Sequence, residues 1–187
     1  MTGPVRSGKS TFASRLADAS GLPVTYIATA ARDETDVEWR ARLEHHAASR
    51  NQDWRVVETE TMDRSAVERL FRDADSARCL LLDSIGGWLT AQIFDRANRL
   101  ESDFVAALAE IDAAAAEFAN LLLHSPAAVV AVGEQTGWGI VPHAQSARAF
   151  RDVLGRLDQR LARDAEQAYV VIAGYALDLK RLGIPAF

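Results

Sequence analysis

The chain is poor in the residues that cross-link secreted proteins and build zinc sites. Cys79 is the single cysteine among 187 residues, so neither a disulfide within the chain nor a zinc site made of cysteine pairs is possible. No apolar stretch approaches the roughly 20 residues of a membrane-spanning helix. A polar, glycine-containing segment stands where a signal peptide would have its apolar region. These absences favour a cytoplasmic protein without membrane insertion.

Positive charge is also scarce. The 21 lysine and arginine residues are outnumbered by 26 aspartate and glutamate residues, which gives a formal net charge of -5 at pH 7. This balance argues against a broad nucleic-acid-binding surface, although a local loop with a metal ion can still hold phosphate. Lysine occurs only as Lys9 and Lys180, so general lysine usage does not explain the lysine at position 9.

The pattern of apolar residues predicts alternating strands and helices. Predicted strands are 24–28, 54–58, 79–83, 127–132 and 168–172, with a short strand after Gly174. Predicted helices are 9–20, 35–49, 64–74, a helix starting near Trp88, 103–124 and 146–163. Strands that are apolar on both faces and alternate with helices predict an α/β fold of the P-loop NTPase type. Its sheet is mainly parallel and doubly wound, with helices on both faces. The length suits one domain over 1–187.

The most specific motif lies at the start of the chain. The segment GPVRSGKS, Gly3 to Ser10, satisfies the P-loop pattern G-x-x-x-x-G-K-[ST]. Its glycines allow backbone N–H groups to point at phosphate, and the helix predicted from Lys9 adds its positive end. Lys9 is expected to reach the β- and γ-phosphates of a nucleoside triphosphate, and Ser10 to ligate Mg²⁺. The alternative is a chance glycine-containing turn.

The segment ahead of this motif is short, since only Met1 and Thr2 precede Gly3. A P-loop normally follows a strand, usually the central one of the sheet. We expect either a start upstream of Met1, which we favour, or a fold that tolerates a stub at some cost in stability.

Asp83 is the candidate for a second magnesium ligand. It ends the apolar strand CLLLD, which is where the Walker B carboxylate of P-loop enzymes lies. The alternative is a surface aspartate that caps the next helix.

Two adjacent histidines, His45 and His46, lie in the predicted helix 35–49. Neighbours on a helix point about 100° apart, so only one of them faces a given site. His46 follows Leu43 by three residues and Trp39 by seven, so it shares their expected inward face. An imidazole near a phosphate loop can act as a nucleophile towards phosphorus, and Arg50 could balance phosphate charge. On composition alone, a hydrogen-bonded buried histidine or a surface histidine is the better interpretation of His46.

Seven segments together resemble one enzyme family. They are TGPVRSGKS (2–10), YIATA (26–30), RLEHHAASR (42–50), WRVVE (54–58), LLLDSIGGWLT (80–90), GWGIVP (137–142) and ARAFRDVLGRLDQRLA (147–162). In this order they resemble the bifunctional adenosylcobinamide kinase/adenosylcobinamide-phosphate guanylyltransferases of cobalamin biosynthesis. The resemblance spans nearly the whole chain.

The resemblance implies two reactions that use GTP or ATP with Mg²⁺. In the first, adenosylcobinamide is phosphorylated on a hydroxyl group. In the second, a histidine attacks the α-phosphate of GTP, and the resulting GMP-histidine passes GMP to adenosylcobinamide phosphate, which gives adenosylcobinamide-GDP. The family pattern of a histidine, three residues and an arginine falls on His46 and Arg50. A homotrimer is also implied.

The resemblance also implies a set of nucleotide-binding residues. They are Gly3, Pro4, Val5, Arg6, Ser7, Gly8, Lys9, Ser10, Ala28, Thr29, Ala30, Ala47, Ala48, Ser49, Arg50, Glu58 and Asp83. Before the resemblance is considered, Glu58 could equally be an exposed charge at a strand end.

The sequence departs from the family pattern in several places. Asn51 stands where proline is usual, Asp158 where asparagine is usual, and Glu134-Gln135 where an Asn-Glu pair is usual. These changes concern substrate contacts more than nucleotide binding. Two alternatives therefore stay open: a plain P-loop kinase of a small molecule, and a nucleotide-binding homologue without catalysis.

Overall fold

The computed structural model describes residues 1–30, 35–48, 50–60 and 62–186. Inside the second helix, the side chains of residues 39, 42, 43, 45, 46 and 48 also lie outside the description. Six strands occur in the described ranges: β1 Val24–Ala28, β2 Arg55–Glu58, β3 Cys79–Asp83, β4 Ala128–Val132, β5 Tyr169–Ile172 and β6 Tyr175–Asp178. Eight helices occur there: α1 Lys9–Ala19, α2 Val37–Ala48, α3 Arg64–Arg72, α4 Ile85–Phe94, α5 Ala97–Ser102, α6 Phe104–Leu123, α7 Gln145–Asp164 and α8 Leu179–Leu182.

Four strands form a parallel sheet in the order β2-β1-β3-β4. The register pairs Ala28 with Glu58 on one side and with Asp83 on the other, and Asp83 in turn with Val132. The carboxyl ends of all four strands therefore meet at one edge of the sheet. Ligands bind at this edge in open α/β sheets.

Alternate side chains of the strands enter two cores, one on each face of the sheet. Ile27 and Leu82 pack with the buried residues of α3, α4, α6 and α7. On the opposite face, Tyr26 and Leu81 pack against Ala13 of α1. Strands buried on both faces need apolar residues at successive positions, which explains runs such as CLLLD.

Residues 1–3 connect the four-stranded sheet to the antiparallel β5-β6 pair. On the β4 side, the Gly133 N–H donates to the Met1 carbonyl at 2.8 Å. On the β5 side, the Thr2 N–H donates to the Tyr169 carbonyl and the Val171 N–H to the Thr2 carbonyl, both at 2.9 Å. The two residues ahead of the loop thus take a strand position between β4 and β5.

The predicted fold class is confirmed: the sheet is mainly parallel and carries helices on both faces. The strands predicted at 24–28 and 79–83 have the predicted bounds, and the others agree within a residue. The helices α5 and α8 were not predicted. They contain six and four residues, which is too short for a helical period to show in the sequence.

Candidate functional site

The phosphate loop, Gly3–Ser10, turns sharply into α1. Arg6 and Gly8 both have positive φ, at 56° and 96°, and α1 begins at Lys9 with no acidic residue in its first turn. The N-terminal N–H groups and positive dipole end of α1 are therefore directed at the loop without a competing carboxylate on the helix itself. The Lys9 ammonium donates to the Pro4 carbonyl at 3.1 Å, across the mouth of the loop.

Backbone contacts hold this loop against its neighbours. The Gln135 N–H donates to the Gly3 carbonyl at 3.0 Å, and the Gly174 N–H donates to the Ser7 carbonyl at 2.9 Å. A Cβ atom at Gly3 would lie 2.3 Å from the Val171 carbonyl oxygen, so only glycine allows this approach. The Ser7 hydroxyl is buried and has no hydrogen-bond partner within the described ranges. An orphaned polar group inside a loop of this shape fits a site that binds a polar ligand.

Asp83 ends β3, which β4 separates from the residues that lead into the phosphate loop. Its Oδ2 accepts a hydrogen bond of 2.9 Å from the Tyr26 hydroxyl, which lies on β1. Burial, followed by the charge of Asp83, raises the pKa of Tyr26 far above its usual value, so the phenol stays a donor. The alternative that Asp83 caps the next helix does not hold, because Ser84 is the N-cap of α4 and accepts from the Gly87 N–H.

Thr29 joins the ends of β1 and β3. Its hydroxyl donates to the Ser84 carbonyl at 2.5 Å and accepts from the Ser84 N–H at 2.9 Å. Thr29 is buried. Its hydroxyl is therefore occupied by the protein backbone, and the predicted role of Thr29 in nucleotide binding stays a prediction that would have to use its main chain.

Arg50 follows α2 and reaches the same side chains. Its guanidinium lies over the Tyr26 ring, 3.9 Å from the ring centre, and its buried Nε has no hydrogen-bond partner in the described part of the chain. The Trp54 ring also stacks with the Tyr26 ring, with 6.4 Å between the ring centres. Arg50, Tyr26 and Asp83 thus form a row along the edge of the sheet.

The structure brings most of the predicted nucleotide-binding residues to one edge of the sheet. Ala28 and Glu58 lie at the ends of β1 and β2 and pair with each other, and Glu58 is exposed. Ala47 is an exposed residue of α2. Position 46 also lies in α2, but the side chains of His46 and Ala48, and residue 49 as a whole, lie outside the described residues. The roles of His46, Ala48 and Ser49 stay predictions.

Glu134 is another carboxylate at this edge, and the sequence alone predicts no role for it. It follows the end of β4, and its Oε2 accepts from the Gly86 N–H in the first turn of α4 at 3.0 Å. Burial raises the pKa of Glu134, while a hydrogen bond from Ser84 and the charge of Lys9 lower it, and the charge of Asp83 raises it. Its position directly after an apolar strand is the signal that could have identified it.

Few protein ligands for a metal ion are present at this edge. No group of three or more His, Cys, Asp or Glu side chains that could hold a metal ion occurs in the described ranges. A site built on Ser10 and Asp83 would therefore take its other ligands from phosphate oxygens and water, as Mg²⁺ usually does with nucleotides. A single carboxylate with one oxygen held by Tyr26 fits this requirement.

The glycine-rich loop leads into α1 at the carboxyl edge of a parallel sheet, and an aspartate ends β3 at the same edge, with β4 between β3 and the residues ahead of the loop. This arrangement defines a protein of the P-loop NTPase type. Residues 1–179 match the family described as cobinamide kinase / cobinamide phosphate guanyltransferase. The chain belongs to that family, whose members are enzymes of adenosylcobalamin biosynthesis.

Individual relatives agree with this family. The chain is 35% identical over 184 residues to the bifunctional adenosylcobalamin biosynthesis protein CobU of Escherichia coli strain K12, an alignment that covers 96% of this chain and 98% of the relative. It is 36% identical over 181 residues to the bifunctional adenosylcobalamin biosynthesis protein CobP of Pseudomonas aeruginosa, covering 96% and 95%. It is 34% identical over 183 residues to CobU of Salmonella typhimurium strain LT2, covering 96% and 98%.

Helices long and apolar enough to cross a membrane are absent from the part of the chain that the structure describes.

Proposed function

We propose that this protein catalyses two consecutive reactions on a corrinoid precursor. It phosphorylates adenosylcobinamide with ATP or GTP, and it then transfers GMP from GTP to adenosylcobinamide phosphate, which gives adenosylcobinamide-GDP. The observation that carries the proposal is that the phosphate loop and Asp83 lie at the same carboxyl edge of the sheet, in a chain that matches this family over residues 1–179. We also propose a homotrimer, which the resemblance of the sequence to this family implies.

In the kinase reaction, the phosphate loop holds the triphosphate. Backbone N–H groups at the start of α1 face the phosphates, and Lys9 leaves the Pro4 carbonyl to reach the β- and γ-phosphates. Ser10 and Asp83 would hold Mg²⁺, which neutralises phosphate charge as the γ-phosphoryl group leaves. Tyr26 fixes the orientation of the Asp83 carboxylate through its hydroxyl.

In the guanylyl transfer, His46 is the nucleophile. An imidazole nitrogen forms a bond to the α-phosphorus of GTP, the bond to the bridging oxygen breaks, and pyrophosphate leaves. A phosphate oxygen of adenosylcobinamide phosphate then attacks the same phosphorus and releases the imidazole. Arg50, whose buried Nε has no partner in the described structure, supplies a positive charge for the phosphates.

The test is incubation of the protein with GTP that carries a radioactive α-phosphate. We expect a label on the protein that is stable in base and lost in acid, as a phosphorus–nitrogen bond would be. His46→Ala should abolish the label. His45→Ala is the matched control, because it removes the adjacent imidazole, and it should keep the label.

Other outcomes separate the alternatives. Label that persists in the His46→Ala variant would remove His46 from the mechanism. A protein that phosphorylates adenosylcobinamide but never acquires label would be a plain kinase. A protein that binds nucleotide and does neither would be a non-catalytic homologue.

Lys9→Ala should weaken triphosphate binding roughly tenfold or more, since a charge-assisted contact contributes about 1.5–3 kcal/mol.

A further inference from the structure

The Glu134 carboxylate lies against the first turn of α4. Its Oε2 lies 3.0 Å from the Gly86 nitrogen. A Cβ atom at Gly86 would lie 2.4 Å from the same oxygen. The absence of a side chain at Gly86 therefore allows the carboxylate to lie against the first turn of α4, where the helix dipole favours its ionised form.

Backbone hydrogen bonds place Glu134 beside the phosphate loop, because the Gly133 N–H donates to the Met1 carbonyl and the Gln135 N–H donates to the Gly3 carbonyl. The charges of Lys9 and Asp83 both act on the pKa of its carboxyl group. Burial raises its pKa, which makes it a stronger proton acceptor than an exposed glutamate. A carboxylate offers about four acceptor positions, and in the described structure one of them accepts from the Gly86 N–H.

We propose that Glu134 is the general base of the kinase reaction, accepting the proton of the corrinoid hydroxyl as that hydroxyl is phosphorylated. This proposal rests on the proposed function. The hydroxyl oxygen forms a bond to the γ-phosphorus, the bond between that phosphorus and the β,γ-bridging oxygen breaks, and the nucleoside diphosphate leaves. The proton passes to a free acceptor position of Glu134 and then to water.

Asp83 is the other carboxylate of the site, and it is less suited to this task. One of its oxygens accepts from the Tyr26 hydroxyl, and the remaining lone pairs are those that would ligate Mg²⁺. A carboxylate that is bound to a cation and to a phenol is a weak proton acceptor. In the described structure Glu134 accepts its hydrogen bond from a backbone N–H, and the nearby Lys9 ammonium donates to the Pro4 carbonyl.

The test compares the phosphorylation rates of the Glu134→Gln and Glu134→Asp variants. If Glu134 is a general base, the aspartate variant should be the faster one. If Glu134 only caps α4, the glutamine variant should be the faster one. Glutamine keeps the length of the side chain and an oxygen that can accept from Gly86, but it cannot take a proton. Aspartate keeps the proton acceptor on a shorter side chain. We expect the glutamine variant to phosphorylate adenosylcobinamide at least about 100-fold more slowly than the unaltered protein, and the aspartate variant to be the faster of the two.

The same preparations are assayed for self-labelling from GTP and for thermal unfolding. Glu101→Gln, which changes an exposed carboxylate of α5, is the control and should leave both reactions unchanged. For Glu134→Gln we expect a much smaller loss of labelling than of phosphorylation, at most about tenfold.

Three results would overturn the assignment. A glutamine variant as active as the aspartate variant, or more active, would make Glu134 a helix cap. A glutamine variant that loses labelling and phosphorylation equally, or that does not fold, would make it a structural part of the phosphate site. An unaltered protein that labels itself from GTP but does not phosphorylate adenosylcobinamide would remove the assignment and leave the guanylyl transfer in place.

Discussion

The phosphate loop and the strand ends beside it are held in place by different parts of the polypeptide. The loop is fixed by its main chain, through the Gly3 and Ser7 carbonyls, which accept from the backbone N–H groups of Gln135 and Gly174. The ends of β1 and β3 are fixed by side chains. Substitutions in the loop should therefore matter most where they change the backbone.

At the strand ends, the contacts form one connected set, the strand-end network of Tyr26, Thr29, Arg50, Asp83 and Ser84. The Tyr26 hydroxyl bonds to Asp83, the Arg50 guanidinium lies on the Tyr26 ring, and Thr29 bonds twice to the Ser84 backbone. Here the identity of each side chain matters. Arg50 also follows α2, which carries the predicted nucleophile His46. The two proposed reactions would therefore share residues of this network.

The largest effect on stability is expected from Gly3→Ala. The added methyl group would lie 2.3 Å from the Val171 carbonyl oxygen, so β5 or the loop must move. Overpacking of this kind costs roughly 1–3 kcal/mol. Chemical denaturation should show a loss of about 2 kcal/mol in the free energy of unfolding, together with weaker GTP binding.

Gly155→Ala is the matched control for that change. A Cβ at Gly155 on α7 would meet no atom within 4 Å apart from its chain neighbours and the nearby backbone of its own helix, and alanine is favoured over glycine in a helix by up to about 1 kcal/mol. This variant should be slightly more stable than the unaltered protein. If Gly3→Ala were equally harmless, the loop would not depend on its close backbone approach to β5.

A smaller change in the free energy of unfolding, which depends on pH, is expected from Asp158→Asn. Asp158 accepts a hydrogen bond from Thr2, the residue just ahead of the phosphate loop. Burial raises the pKa of Asp158 to about 6, although the Thr2 hydroxyl and the N-terminal ammonium lower it. Because the folded-state pKa lies above the unfolded value of 3.8, the folded protein binds more protons between those two pH values. Its stability should therefore fall as pH rises from about 4 to about 6 and then stay lower.

Asparagine keeps an oxygen for the Thr2 hydroxyl, which donates to Asp158 at 2.8 Å, but carries no charge. At pH 7.5 we expect Asp158→Asn to raise the free energy of unfolding by about 1–2 kcal/mol, with a clearly smaller gain at pH 4.5. Asp152→Asn, at an exposed position of the same helix, should change little at either pH. Equal gains at both pH values would show that the Asp158 charge is not the cause.

The elements of the fold could be predicted where burial leaves a pattern in the sequence. Strands β1 and β3 are buried on both faces, so nearly every residue is apolar and their bounds can be identified. The loop is identified by its glycines and lysine. The same burial explains why the sequence points to Asp83 as a candidate magnesium ligand, since a charged residue ends an otherwise apolar run.

The contacts within the site could not be predicted in the same way. Tyr26, Arg50 and Asp83 come from separate elements, and their row along the sheet depends on strand order and register, which no local pattern encodes. The hydrogen bond from the Thr29 hydroxyl to Ser84 likewise joins two strand ends, and the predicted contact of Thr29 with nucleotide stays a prediction. Glu134 also follows a strand, but its contact with Gly86 depends on how α4 packs against the end of β4.

The smallest loss of stability is expected from a substitution within the strand-end network. Tyr26→Phe removes only the hydroxyl that donates to Asp83 at 2.9 Å and keeps the ring that Arg50 and Trp54 contact. A hydrogen bond of this kind contributes about 1 kcal/mol. Denaturation should show a loss of about that size, and the rate of phosphorylation should fall because the Asp83 carboxylate is less well oriented.

Tyr169→Phe is the matched control, because it removes a hydroxyl that makes a longer, exposed contact of 3.3 Å with Gln167, while its ring keeps its contact with Phe12. It should cost less than about 0.5 kcal/mol and leave phosphorylation unchanged. If both variants lost the same stability and kept full activity, the Tyr26 hydroxyl would have no role in orienting Asp83. A Tyr26→Phe variant that lost only activity would show that the hydroxyl acts on the Asp83 carboxylate rather than on the fold, because the contacts of the ring with Arg50 and Trp54 are unchanged.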